Sequence, residues 1–175
     1  YHVWGLMEFI YRDDSWIYRD VYRNWPLDFE SINAIEIWDD DVMVATDQGL
    51  FVGNWRGSNL KDPISWGQPY ITLTGNVSSL HANGSDLLLV HEGNVYQLTP
   101  DTSMPLTLLW DYFSDTDRFI DIMQDSDGFL WGVLDQKFIK LGETAIDWQL
   151  EVHSKYSFTC LTQMPNGQII AGSEI

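Results

Sequence analysis

The sequence predicts an all-β chain: a β-propeller of four-stranded antiparallel blades, with three full or nearly full blades and partial blades at the two ends. Three observations carry this expectation. A pair of apolar runs joined by a polar corner recurs with a period of roughly 40 to 45 residues, the spacing of a propeller blade. Each recurrence contains a turn rich in Asp, Asn and Gly, residues that tolerate tight turns. No sustained helical periodicity interrupts the pattern.

The units read SINAIEIWDDDVMVATDQGLFVG from Ser31, NVSSLHANGSDLLLVHEGNVYQL from Asn76, RFIDIMQDSDGFLWGVLDQKFIKL from Arg118, and SFTCLTQMPNGQIIAGSEI from Ser157. Thr46, His91, Leu134 and Ser173 fall at equivalent positions. Blade limits follow at about 1–29 (partial), 30–75, 76–116, 117–156 and 157–175 (partial), within one domain. In each unit strand a (INAIEI, VSSLHA, RFIDIM, FTCLTQM) leads through a turn to strand b (VMVAT, DLLLVH, FLWGVL, IIAGS). The near-continuous apolar character of strand b suits a strand covered on both faces. Strand c is LFVG, VYQL or FIKL, and the candidates for strand d are WGQPYITL, PLTLLWDYF and IDWQLEV. The stretch RGSNLKDPISWGQP between strands c and d of the first full blade reads as a surface excursion.

At the N-terminal end, HVWGLMEFIYRDDSWIYRDV aligns with FLWGVLDQKFIKLGETAIDWQLEV on the pairs Trp4-Gly5 and Trp131-Gly132. Residues 1–29 are therefore expected to hold strands b, c and d of a blade. Since the last unit supplies a and b, one strand b would be surplus in a four-bladed ring. The expectation is a segment of a larger propeller, whose open edges invite aggregation or strand pairing.

The composition narrows the function. Of 175 residues, 45% are hydrophobic and 14% aromatic, ample for a packed core. A net charge of −17 repels phosphate backbones and anionic lipid surfaces, so neither nucleic acid nor membrane is an expected partner. No apolar stretch reaches the roughly 18 residues of a membrane span. The acidity serves solubility first, and an acidic face for cations or basic partners second. The single cysteine, Cys160, lies in a strand-like run and reads as a small buried hydrophobe.

One polar feature recurs. The b–c corner carries an acid in nearly every unit, at Asp47, Glu92, Asp135 and Glu174, with Glu8 as a further candidate. A propeller places equivalent corners around one face. They form a candidate ligand-binding ring for a cation or a basic partner, or serve simply as polar turn residues. Asp39, Asp40 and Asp41, and separately Asp125 and Asp127, read as turn formers, because neither stretch has the ligand spacing of a calcium loop. His2, His81, His91 and His153 lie too far apart for a zinc motif. No nucleophile motif or phosphate-cradling loop is evident. No catalytic residue, metal or cofactor is assigned.

The stretch DSDGFLWGVLDQKF resembles the two-component regulator propeller repeat, whose core runs D-x-D-G-x-hydrophobic-W followed by a small-residue step. Asp125, Asp127, Gly128, Leu130 and Trp131 match its first half, Thr46, Gly49 and Leu50 its second, and Gly172 and Ser173 the small-residue step. Met43 and Leu88 stand where the family has Trp, Leu134 and His91 replace its Thr, and Lys137 and Asn94 its Gly. The resemblance implies a seven-bladed type of propeller and an extracellular or periplasmic location. The expected function is then a non-enzymatic binding or scaffold domain of an exported bacterial protein, recognising a protein or glycan ligand. The alternatives are a periplasmic sensor ectodomain and a propeller-fold glycoside hydrolase or polysaccharide lyase. Tryptophans at positions 16, 25, 55, 66, 110 and 148 discriminate between these. Wedged between blades they support a scaffold; exposed around a channel they support sugar binding.

Overall fold

The computed structural model describes residues 5–67, 73–99, 106–110, 118–142, 146–151 and 157–174. These form five antiparallel sheets. The first is a hairpin of β1 (Leu6–Arg12) and β2 (Ser15–Tyr22). Three four-stranded sheets follow, each in simple up-and-down order. They comprise β3 (Ile32–Trp38), β4 (Asp41–Thr46), β5 (Gly49–Asn54) and β6 (Trp66–Gly67); then β7 (Val77–Asn83), β8 (Asp86–His91), β9 (Asn94–Leu98) and β10 (Leu106–Trp110); then β11 (Phe119–Gln124), β12 (Leu130–Leu134), β13 (Lys137–Leu141) and β14 (Ile146–Glu151). The last sheet pairs β15 (Ser157–Gln163) with β16 (Ile169–Glu174). The a strands stand side by side, β3 against β7, β7 against β11 and β11 against β15. The architecture is an open arc of propeller blades, as the repeat predicts.

The repeat extends to backbone detail. The turn from strand a to strand b holds a residue in the left-handed region in every unit: Asp39 (φ 53°), Gly84 (58°), Gly128 (88°) and Gly167 (84°). A β-bulge sits at the start of each strand a, between Ile32 and Ala34, Val77 and Ser79, Phe119 and Asp121, and Phe158 and Cys160. A bulge bends its strand and raises the local twist. Repeated at one position, it gives each inner strand the same curvature.

Strand b is buried from both sides. In β4, Met43 and Ala45 join a core with Leu87 and Leu89 of the next sheet, while Val44 joins Leu6, Phe51, Leu60 and Trp66 on the other side. In β8, Leu87 and Leu89 face back, and Val90 faces forward to Phe119, Ile122 and Leu134. This double burial explains the continuous apolar runs of β4 and β8, whereas the strand b of the last sheet, β16, is partly exposed, with Ile170 at 46%.

Three sequence expectations are corrected. Residues 5–29 hold two strands rather than three: Leu6–Arg12 runs unbroken through Glu8, and the hairpin turns at Asp13 and Asp14, both at positive φ. Trp4 lies outside the described residues. Preceding the link to strand a of the next sheet, β1 and β2 occupy the places of strands c and d among the described residues. Second, the excursion after β5 is anchored. Leu60 and Trp66 are buried in the core, the Trp66 indole Nε1–H donates to the Leu60 carbonyl at 2.9 Å, and the Asp62 side chain caps the turn at Pro63–Ser65. Third, Cys160 is exposed, because the two-stranded sheet β15–β16 is covered only on the side of β11 and β12. Strand d of the first full blade shows Trp66–Gly67; residues 68–72 lie outside the described residues.

Leu89 is fully buried between two sheets, whereas Leu150 is 46% exposed on the outer strand β14. Leu89→Ala is expected to lower unfolding free energy by about 2–5 kcal/mol, and Leu150→Ala by well under half of that. Urea denaturation of the two variants checks the difference.

Candidate functional site

The b–c corners form one rim of the arc, and two of the four predicted acids have defined work there. The Asp47 Oδ1 accepts the backbone N–H groups of Glu30 (2.8 Å) and Ser31 (3.0 Å), which lead into strand a of the same blade, and Oδ2 accepts the Gln48 amide at 2.8 Å. Partial burial works to raise the Asp47 pKa. The Gln48 amide and the Ser31 and Glu30 N–H groups outweigh it and hold the carboxyl below its ordinary value. Glu92 repeats the arrangement one blade on. Its Oε1 accepts the Asn76 N–H at 2.7 Å, and its own N–H donates to the Asn76 carbonyl at 2.9 Å. Glu92 stands at φ 49°, and a Cβ on Gly75 would lie 2.3 Å from its Oε1, so the corner and the lead-in fit without spare room.

The same corners are spliced to the following blade through main chain. Gly49 bridges to Thr74, the Gly93 carbonyl accepts the Phe119 N–H at 3.1 Å, and the Asp135 carbonyl accepts the Phe158 N–H at 2.7 Å. The side chains of Asp135 and Glu174 are exposed. The segments leading into strand a of those two blades, 111–117 and 152–156, lie outside the described residues. Glu8, in mid-strand, accepts from Arg19 at 2.9 Å and from the Tyr22 hydroxyl; burial, then the Glu8 bond, pushes the Tyr22 hydroxyl up to about 12. Among the described residues no three His, Cys, Asp or Glu side chains stand close enough to hold a metal ion.

Three carboxylates of the Asp-rich turns have partners within or beside their turn. Asp125 accepts from the N–H groups of Asp127 (3.0 Å) and Phe129 (2.8 Å) and from the Trp131 indole (2.7 Å). Burial works to raise its pKa, but the Trp131, Phe129 and Asp127 bonds with the Lys140 charge prevail and lower it. Asp40 pairs with Arg56 at 3.0 Å, and Asp41 accepts from Asn54 at 2.9 Å.

An inner-strand residue absent from the sequence candidates ties three blades together. Asp121 on β11 accepts from the Ser79 hydroxyl on β7, and its Oδ2 accepts the Leu161 N–H on β15 at 2.6 Å. The available signal was an acid set in the apolar run RFIDIM. Asn33 on β3 makes a comparable bridge to Asn76 (2.9 Å) and the Val77 carbonyl (2.8 Å).

A concave groove of about 470 Å³ lies between the β1–β2 hairpin and the first full blade. Leu6, Ile35, Ile37, Val42 and Trp55 supply apolar walls, and Glu8, Arg19 and Tyr22 the polar end. The tryptophans at positions 16, 25, 55, 66, 110 and 148 are placed away from the inner strands. Trp66 is buried, and Trp25 packs against it with ring centroids 4.5 Å apart. Trp110 packs into the core between the second and third full blades. Trp16 and Trp148 are exposed on outer strands β2 and β14, and Trp55 follows β5.

No family model matches the chain, and no curated protein matches it in sequence. Solved structures share its fold. The extracellular domain of a protein assigned as a hybrid two-component system from B. thetaiotaomicron aligns over 98% of this chain with a TM-score of 0.67 and 17% identity. The mitotic checkpoint complex contains a chain aligning over 96% (TM-score 0.63, 10% identity). A protein assigned as a gluconolactonase aligns over 90% (TM-score 0.60, 11% identity). The alignments cover 25%, 51% and 60% of those chains, so this chain spans about a quarter of the first. At these identities the likeness is one of fold.

Asp47 and Asp125 both titrate below the ordinary value of 3.8. A carboxyl with a depressed folded pKa adds stability that is present above the unfolded pKa and lost as pH falls through the folded one. Urea midpoints are therefore expected to fall from about pH 5 to pH 2, and to fall less in the double variant Asp47→Asn/Asp125→Asn. An equal acid loss in both proteins contradicts this assignment.

Proposed function

We propose that the chain is a non-enzymatic binding and scaffold segment of an exported bacterial β-propeller, recognising a protein or glycan ligand on its rims. The observation that carries this reading is the engagement of the chemically active side chains. Asp47, Glu92, Asp121 and Asp125 accept main-chain or indole N–H groups. The buried tryptophans are wedged between blades, and the exposed ones lie away from strand a. A hydrolase or lyase on this fold needs convergent carboxylates or a His, Tyr and Arg cluster with aromatic walls. The exported location rests on the extracellular domains among the fold neighbours and on the repeat resemblance.

Within this reading the four corner acids divide. Asp47 and Glu92 are structural, and the exposed Asp135 and Glu174 are the corner acids that offer carboxylates to a basic partner. A second reading, a sensor ectodomain, is favoured by the hybrid two-component system whose extracellular domain shares the fold.

The test is retention of immobilised chain on arrays of basic peptides and of glycans, with a parallel assay for released sugar. Salt-sensitive peptide capture that drops several-fold in Asp135→Asn/Glu174→Gln supports the rim reading. Glycan capture unaffected by that variant moves the ligand away from the corner acids. Catalytic release of sugar from a polysaccharide overturns the non-enzymatic reading.

A further inference from the structure

A second hollow, of about 320 Å³, lies between the link that follows β2 and the turn that precedes β6. Arg23, Asn24 and Asp28 line it with polar groups, and Leu27, Phe29 and Pro63 with apolar ones. Its volume stands at the lower end of the range for small-molecule sites, about 300–1,000 Å³. We propose that it is a site for a small zwitterion, a free apolar amino acid or dipeptide, with Arg23 taking the carboxylate and Asp28 the ammonium. The site does not involve the corner acids Asp135 and Glu174, so it goes beyond the rim reading and is tested independently of it.

The walls are held in place by the protein itself. The Asn24 side chain donates to the Lys61 carbonyl at 2.8 Å, and the Lys61 ammonium pairs with Asp20 on β2 at 2.7 Å. Trp25, which also lines the hollow, packs against Trp66 and Phe29 with ring centroids 4.5 and 5.2 Å apart, and Phe29 packs against Phe51 at 5.7 Å. On the other wall the Asp62 side chain accepts the Ile64 N–H at 3.2 Å and caps the turn that begins at Pro63. A site whose walls are already cross-linked gives up little freedom when a ligand enters.

The charges identify the ligand. Acids outnumber bases 26 to 9 in the chain, and Arg12, Arg19, Arg56 and Lys61 each pair with a carboxylate. Arg23 pairs with none among the described residues, although Asp28 lines the same hollow, and Asp28 pairs with no cation there. Opposite charges thus share one cavity without meeting. A simple anion satisfies Arg23 and is repelled by Asp28, and a simple cation does the reverse; a zwitterion satisfies both. The guanidinium fork matches a carboxylate through two parallel hydrogen bonds, and the Asp28 carboxylate accepts from an ammonium. Leu27, 55% exposed, with Phe29 and Pro63 gives the ligand's side chain an apolar seat. The Trp25 ring already packs against three others, so an amino-acid ligand fits the hollow better than a stacked sugar.

Isothermal titration of the chain with leucine, leucyl-leucine, N-acetyl-leucine and leucinamide tests the site. Leucine or leucyl-leucine is expected to bind, and the tighter of the two shows whether a free amino acid or a dipeptide is the occupant. N-acetyl-leucine lacks the ammonium and leucinamide the carboxylate; each is expected to bind more than about tenfold more weakly than the preferred zwitterion. Arg23→Gln is expected to weaken the zwitterion by a similar factor and leave leucinamide unchanged. Asp28→Asn is expected to weaken the zwitterion and leave N-acetyl-leucine unchanged. Both side chains are exposed, so both variants are expected to fold, and the analogue comparison on the wild-type chain holds in either case. No binding of either zwitterion at about 10 mM overturns the proposal. So does N-acetyl-leucine binding as tightly as leucine, the result of a plain anion site, and so does zwitterion binding that neither variant weakens, the result of a ligand seated elsewhere.

Discussion

The structure rests on one constraint: strand b of each full blade is apolar on both faces, and no single sheet can bury both. Met43 and Val44 are adjacent in β4, point opposite ways, and are each almost fully buried in a different core. The same holds for Leu89 and Val90 in β8. Every blade therefore depends on its neighbours for roughly half its apolar burial, which makes the repeat a stack in which no unit is independent. The simple up-and-down order, the tight a–b turns and the recurring bulge present that doubly apolar strand to both sides.

Polar bonds then fix how the blades sit. Asp121 spans three inner strands, Asn33 joins two, and the corner acids Asp47 and Glu92 hold the lead-ins to strand a. The Asp121 and Asn33 bonds join strands of neighbouring blades, whereas the Asp47 and Glu92 bonds hold each corner to its own blade's lead-in. The engagement of these carboxylates is also what separates the binding reading from the catalytic one.

Most of the fold was legible in the sequence because its signals are local. Turn residues such as Gly84 and Gly167 mark the a–b corners, and continuous runs such as DLLLVH mark a strand covered twice. What escaped depends on distant partners. The bulge at Asn33, Ser78, Ile120 and Thr159 leaves no residue signature, since those four side chains have little in common. Asp121 matters only because Ser79 and Leu161 arrive beside it from other blades. Leu60 and Trp66 lie among Gly, Ser, Asn and Pro, a composition that reads as solvent-exposed loop. The Trp-Gly alignment misplaced Glu8 at a corner because an apolar run continuing as a strand resembles one that turns. Of the corner acids, the recurrence was visible, but the backbone N–H groups that explain Asp47 and Glu92 were not.

The central claim is that the blades form one cooperative unit, because strand b is shared between two cores. Native-state amide exchange of β4, β8 and β12, compared with unfolding free energy from urea, tests it most directly. Shared cores predict that the slowest amides in all three strands exchange with one free energy equal to the global value. Distinct free energies for β4, β8 and β12, each below the global value, would mean that blades open singly and would contradict the account.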